Sequence, residues 1–309
     1  MPTPQQRERI RHILTHGFRY FAKNAVVRFL PRPIQGYFAA KGYPKYVGPD
    51  IEYIGNVFGG NYLMYANSSY SVDTGATSKT IDREDAFLGI RMLNVKGCVA
   101  LDIGANVGTY SLGLASLGAK KIYAIEPGPL FPKLQKNIEL NGLNNQIIPF
   151  KVGLALEVGE LLWFEDEMNP GNAILLTDRS AASVPPTCKL SNKGISVPVL
   201  PLQDFLLEHD IPDVDFIKID VEAMEWDVIR SGQKYVSDHL PTIVMETHRG
   251  ASDTKGYDMM TPMFNFFYEL GYETYKLDGD RLVKFIYPNF AIDTFFIHKD
   301  KKAQVLPQA

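Results

Sequence analysis

Residues 98–108 read Cys98-Val-Ala-Leu-Asp102-Ile-Gly104-Ala105-Asn106-Val-Gly108, and this stretch decides the fold. Its first half is a short, continuous apolar run, the pattern of a parallel strand buried on both faces. The run ends on an acid and passes into a turn with glycines at 104 and 108, where the chain reverses sharply and exposes bare backbone. Tyr110–Leu117 then has helical character. Lys121-Ile-Tyr-Ala-Ile125 is a second apolar strand, followed by Glu126-Pro127 and a helix over Leu130–Leu140. Two strands joined by a helix at this spacing form a βαβ unit, and therefore a parallel sheet.

The alternation continues outward. Gln146–Val152, Val214–Ile219 and Thr242–Met245 read as further strands, and Leu202–Glu208, Ala223–Arg230 and Pro262–Leu270 as helices. Tyr272–Leu277, Arg281–Ile286 and Thr294–His298 close the sheet, with an Asp278-Gly279 turn between the first two. The expected fold is α/β: a doubly wound, mostly parallel seven-stranded sheet. Glu160–Val199, punctuated by Pro, Gly, Asn and Ser, reads as an antiparallel insertion. Upstream, Asp82–Leu93 reads as a helix with an acidic first turn that suits the helix dipole.

Residues 1–80 form an extension, 81–300 the main domain and 301–309 a tail. Within the extension, Ile10, Ile13, Leu14, Phe18, Phe21, Ala25 and Phe29 recur at helical steps, with Arg9, Arg11, Arg19, Lys23 and Arg28 on the polar side. A basic amphipathic helix over 7–30 follows, stopped by Pro31-Arg-Pro33. Packing against the body or a second copy accounts for it. Peripheral contact with an anionic membrane surface is the sharper reading.

The chain of 309 residues, 45% apolar and 22% charged, has the composition of a folded domain rather than a disordered one. No apolar run is long enough for a membrane-spanning helix. The two cysteines, Cys98 and Cys188, exclude a disulfide scaffold and a cysteine-rich zinc site, and point to a reducing, cytoplasmic setting. Residues 1–50 carry nine Lys/Arg against two acids, a balance of +7, which leaves −10 on the rest of a chain of net −3. So acidic a body is not built to wrap nucleic acid.

In doubly wound sheets ligands sit beyond the carboxyl ends of the strands. Glu126 lies one strand-helix-strand unit after Asp102, and a carboxylate there accepts both hydrogen bonds of a ribose diol. A dinucleotide would want a third glycine at 106 and no acid facing its pyrophosphate. Asp102 and Asn106 stand there instead. An ammonium group, a ribose and an adenine without phosphate suit this pattern, so S-adenosylmethionine is the expected cofactor. Asp102, Gly104, Ala105, Asn106, Gly108, Glu126 and Pro127 are its expected binding residues.

Several blocks in order resemble the FkbM-type S-adenosylmethionine-dependent methyltransferases. They are Leu101–Leu112, Ala124–Pro127, Leu134–Asn137 with Leu140-Asn141, Leu202–Asp204, Phe216–Glu222 with Glu225, and Pro241–Glu246. The resemblance spans residues 97–250. It implies a class I, Rossmann-like domain that transfers a methyl group to a hydroxyl of a sugar, glycan or natural-product acceptor. The family usually has glycine after Asp-Val-Glu, where this chain has Ala223. Asn137 and Asn141, four apart on one helical face, are expected to pack or cap.

For the chemistry, side-chain alternation along an extended segment would point both Asp220 and Glu222 into the cleft. One of them is a candidate general base, a role worth about 10²–10⁴-fold in rate. Glu246 and His248, after the next strand, are further catalytic candidates, His248 for its near-neutral pKa. Arg249 is either a substrate anchor or solvated. Asp220, Glu222 and Glu246 also offer hard oxygens to a divalent metal such as Mg²⁺, a reading not favoured over a metal-free site. Two other classes fit the same sequence: an NAD-dependent oxidoreductase or epimerase, and a non-catalytic, membrane-associated binding protein.

Overall fold

The structure, a computed structural model, describes residues 45–47, 50–57, 60–67, 85–165, 173–176, 190–247, 260–289 and 291–306. The expected helix over 7–30, the acidic first turn at 82–84, Cys188, His248 and Arg249 lie outside the described residues.

Strands β1 (Lys45–Val47), β2 (Asp50–Val57) and β3 (Gly60–Asn67) form a small antiparallel sheet. Then come α1 (Asp85–Ile90), β4 (Val99–Ile103), α2 (Thr109–Ser116), β5 (Lys121–Ile125), α3 (Phe131–Leu140) and β6 (Ile147–Phe150). The insertion consists of β7 (Gly153–Leu154), β8 (Gly159–Glu165), β9 (Ala173–Leu176) and β10 (Ile195–Leu200). The chain returns through α4 (Leu202–Glu208), β11 (Phe216–Ile219), α5 (Glu225–Ser231), α6 (Gln233–His239) and β12 (Thr242–Glu246). It ends with α7 (Met260–Glu269), β13 (Tyr272–Asp278), β14 (Arg281–Phe285), β15 (Asp293–His298) and α8 (Lys302–Val305).

The main sheet has the order β14-β13-β15-β12-β11-β4-β5-β6. Strands β12, β11, β4, β5 and β6 are parallel, and β15 runs antiparallel between β12 and β13. The sheet thus has eight strands where seven were expected. Each of the eight is a segment read as a strand in the sequence, β14 included, which the expected turn at Gly279 (φ +65°) folds back onto β13 at the edge; only the strand total of the expected sheet was one too low. The insertion is antiparallel as expected except at β7, which pairs parallel to β10.

The central strands are buried on both faces, as their mainly apolar sequences require. Ala100, Ile122, Ala124, Phe216, Val244 and Phe295 pack on one side against Phe87, Leu112, Leu134 and Ile138 of α1, α2 and α3. Leu101, Ile103, Ile217, Ile219, Ile243 and Phe296 pack on the other against residues of α4 to α7, such as Phe205, Val228, Val236 and Phe264. Strand order reverses at β4, whose neighbours are β5 on one side and β11 on the other. The carboxyl ends of β4 and β11 therefore flank the topological switch point, where such sheets open a crevice.

Candidate active site at the carboxyl ends of β4, β5, β11 and β12

The turn after β4 is shaped by close backbone contact. Gly104 has φ +78°, and a Cβ placed there would lie 1.8 Å from the carbonyl oxygen of Asp220 at the end of β11. Only glycine lets the two strand ends approach so closely. Asn106 is also left-handed (φ 54°), which asparagine tolerates better than most residues, and its Oδ1 accepts the Val107 N–H at 2.8 Å. Gly108 (φ 92°) begins α2. The Asn137 side-chain amide donates to the Val107 carbonyl at 2.7 Å, and Asn141 donates to the Asn137 carbonyl at 2.8 Å. Both asparagines hold structure together, as expected, and Asn137 ties the turn to α3.

Glu126 reaches back to this turn from the end of β5. Its Oε2 accepts the Asn106 N–H at 3.0 Å and its Oε1 the Gly128 N–H at 2.7 Å. Burial pushes its pKa up to about 7, against the opposing pull of those two N–H groups. A carboxylate has about four lone-pair sites, so the two backbone bonds leave two for a ligand diol.

Asp102 lies deeper than the sequence suggested. It is fully buried, and its Oδ2 accepts the Ser111 hydroxyl at 2.5 Å. Its Oδ1 is buried with no hydrogen-bond partner among the described residues. Burial raises its pKa, opposed first by Lys218 and then by the Ser111 hydrogen bond.

Across the strand pair, Asp102 and Lys218 occupy partnered positions of β4 and β11. Lys218 is buried, its Nζ donates to Asp220 Oδ2 at 2.7 Å, and it lies 4.2 Å from the centroid of the Tyr110 ring. Burial works against the Lys218 ammonium, but Asp220 and Asp102 more than offset it, so its pKa stands above that of an ordinary lysine. Two strands further, Asp293 of β15 partners Glu246 of β12, and burial followed by repulsion from Glu246 pushes its pKa up to about 7. Glu225, at the start of α5, accepts the Val221 N–H at 3.2 Å, and burial likewise lifts its pKa to about 7.

Candidate atoms of Asp220, Glu222 and Glu246 lie within 4.8 Å of one another. The expected proximity of Asp220 and Glu222 holds, but not for the reason given by side-chain alternation. β11 ends at Ile219, and the chain then turns through Glu222 (φ 50°) and Ala223 (φ 75°), both left-handed. That turn, not an extended strand, carries Glu222 back beside Asp220. It also explains why a glycine suits the position of Ala223: alanine is strained there.

The structure adds residues that the sequence reading did not single out. Lys218 interrupts the apolar run Phe216–Ile219, and a lysine inside a buried strand was a legible sign of a buried ion pair. Asp293 had no such sign, because its position depends on the antiparallel pairing of β15 with β12. The insertion supplies Trp163, buried on β8 beside Gly128.

With this geometry in hand, comparisons with known proteins converge. The sequence matches the methyltransferase FkbM domain over residues 102–274, more than half of the chain. It is 31% identical over 168 residues to Methyltransferase 1 of Beauveria bassiana, covering 50% of this chain and 65% of that protein. It is 25% identical over 169 residues to Methyltransferase sdnD of Sordaria araneosa, covering 48% of this chain and 65% of that protein. The chain thus spans slightly under two thirds of the length of these relatives. A crystal structure of methyltransferase FkbM from Methylobacillus flagellatus KT is similar at 15% identity and TM-score 0.42, covering 65% of this chain and 43% of that one. The chain belongs to the FkbM methyltransferase domain family.

Proposed function

We propose that the protein is an S-adenosylmethionine-dependent O-methyltransferase acting on a hydroxyl of a sugar, glycan or natural-product-like acceptor. The observation that carries the reading is Glu126, anchored to the glycine turn through the Asn106 N–H and still holding lone pairs for a ribose diol. The unpartnered Oδ1 of Asp102 and the bare backbone at Gly104 fit the same cofactor. The cleft supports a cation more than a dinucleotide. Asp102, Asp220, Glu246 and Asp293 gather around Lys218, Glu126 and Glu225 feel the charge of Asp220 beside them, and a pyrophosphate would be repelled there.

When bound, the cofactor supplies an activated methyl group on a cationic sulfur. Glu126 accepts the ribose hydroxyls, and Asp102 attracts the ammonium end, directly or through water. Gly104, Ala105, Asn106, Gly108 and Pro127 shape the floor. Asp220 or Glu222 takes the acceptor hydroxyl proton, since an alcohol is a poor nucleophile until that proton leaves. Lys218, at 2.7 Å, holds Asp220 in place. Alignment of the two reactants and exclusion of water are the larger part of the rate enhancement. Lys218 already supplies the counter-charge that a divalent ion would bring to Asp220, so turnover is expected to be unchanged by EDTA.

The test is incubation with methyl-labelled cofactor and fractionated cell glycans and lipids. Label in an alkali-stable ether on a hydroxyl-bearing product supports the reading, and label only in protein or nucleic acid rejects it. Liposome flotation with and without residues 1–30 tests membrane contact; among the described residues no helix is long and apolar enough to span a bilayer.

A further inference from the structure

We infer that Glu225, buried at the start of α5, positions Glu222 as the residue that takes the acceptor proton, an assignment that rests on the proposed methyl-transfer reading. Asp220 and Glu222 are placed by different means. Asp220 continues the sheet: its N–H donates to the Ile103 carbonyl at 3.0 Å, and Lys218 holds its carboxylate at 2.7 Å. A proton taken by Asp220 would leave that buried ammonium facing a neutral acid. Glu222 stands in the turn instead.

That turn is short and strained. It joins the end of β11, packed against Gly104, to α5, whose first bond runs from the Val228 N–H to the Met224 carbonyl at 3.0 Å. Met224 is itself locked, 1% exposed and packed with Trp163 and Val199 of the insertion. Only residues 221–223 are left to turn the chain, and Glu222 and Ala223 do so at φ 50° and 75°. Strain of this kind persists only where surrounding contacts impose it. Glu225 supplies such a contact: its Oε1 reaches back across the bend to accept the Val221 N–H at 3.2 Å. It does so from a buried position, where burial first, and then Glu246 and Asp220, work against its charge. An apolar side chain would fill that space without the cost of burying a carboxylate. What it would lose is the tie that carries Glu222 beside Asp220. As the acceptor oxygen bonds to the methyl carbon, its proton passes to the Glu222 carboxylate, and the carbon–sulfur bond breaks with its electron pair left on sulfur.

Two measurements test this. Initial rates of label transfer from saturating methyl-labelled S-adenosylmethionine to the fractionated glycan and lipid extract read the chemical step. Calorimetry with S-adenosylhomocysteine reads the cofactor site. Glu225→Leu should slow transfer by about 100-fold, the scale of a reacting group displaced by about 1 Å, and shift S-adenosylhomocysteine affinity by less than about twofold. Glu225→Gln keeps an acceptor for the Val221 N–H and should recover at least about tenfold of that loss. In Glu222→Gln, adding Glu225→Leu should slow transfer by less than about threefold more, because the two act as one unit. Glu225→Asp, one methylene short of Val221, repeats the first comparison if the leucine variant does not fold. Unchanged transfer in Glu225→Leu, an equal loss in Glu225→Gln, or multiplying losses in the double variant overturns this inference and leaves the cofactor reading standing. A loss of S-adenosylhomocysteine affinity as large as the loss of rate does the same, since it marks a purely structural role. No transfer by the unmodified chain overturns the proposed function and this inference together.

Discussion

Lys218 stands opposite Asp102 in the register of two neighbouring parallel strands, while its ammonium reaches forward to Asp220 at 2.7 Å. One buried cation thus links a carboxylate beneath the glycine turn to a carboxylate on the proposed acceptor side. Removing one partner of a buried ion pair costs about 3–5 kcal/mol. Asp220 is 37% exposed and water moderates its share, so about 3 kcal/mol is expected for Lys218→Met. Chemical denaturation should show this loss. Adding Asp220→Asn should restore less than half, because Asp102 stays buried without its counter-charge. Full restoration would mean that Asp102 does not depend on Lys218.

The buried acids also fix a pH dependence of stability. Glu126, Glu225 and Asp293 have folded-state pKa values pushed up to about 7, above their ordinary carboxylate values. Between those limits the folded chain binds more protons than the unfolded one, so stability falls as pH rises toward 7 and levels off above it. Glu273 has the opposite sign, held down to about 2 by Lys284, Tyr275 and Lys302. Its stabilisation is present above the ordinary glutamate range and is lost as pH falls toward 2, a separate window. Without ligand, the thermal midpoint should be higher at about pH 6 than at about pH 8. A midpoint that rises over this interval would contradict the assignment.

Ala223 at φ 75° marks a place where a local rule is broken, in a turn of the proposed site. A left-handed alanine costs about 1 kcal/mol, and the extra unfolded-state entropy of glycine offsets part of the relief. Ala223→Gly should therefore stabilise the protein by about 0.5 kcal/mol. Ala115→Gly, within α2, should destabilise it by about 1 kcal/mol. Opposite signs for one substitution, read by differential scanning calorimetry, would locate the strain. Two losses would refute it.

Gly104 and Gly142 both have positive φ, but their surroundings differ. A Cβ at 104 meets the Asp220 carbonyl, whereas one at 142 meets nothing within 4 Å. Gly142→Ala should cost about 1 kcal/mol from backbone strain alone. Gly104→Ala adds a backbone clash and should cost about 2–5 kcal/mol, with cofactor binding lost in whatever fraction folds. Equal costs would show that the approach of β4 to β11 is not as close as described.

Much of this was legible in the sequence because periodic, locally encoded features dominate the fold. The short, mainly apolar runs at Val99–Ile103, Lys121–Ile125 and Phe216–Ile219 announced buried parallel strands, and the glycines marked the turn between β4 and α2. Glu126 followed from the length of one βαβ unit. What the sequence concealed depends on register or on local dihedrals. Asp293 joins the cluster only because β15 pairs antiparallel with β12. Glu222 reaches Asp220 through a left-handed turn that alanine at 223 gave little reason to expect. Trp163 lies 37 residues after Glu126 in an insertion whose docking no periodicity encodes.

Glu126 is the proposed ribose-binding carboxylate. A diol donates to the ionised form, so ligand binding should strengthen as Glu126 ionises, and affinity should fall by up to about tenfold per pH unit below 7. Glu126→Gln should weaken binding by about 2 kcal/mol above that pH and flatten the dependence. Isothermal titration of the intact chain with S-adenosylmethionine and, separately, with NAD measures this most directly. Saturable heat is expected with the former alone, carrying that pH profile and losing it in Glu126→Gln. Binding of NAD without S-adenosylmethionine, or S-adenosylmethionine affinity indifferent to Glu126→Gln, would contradict it.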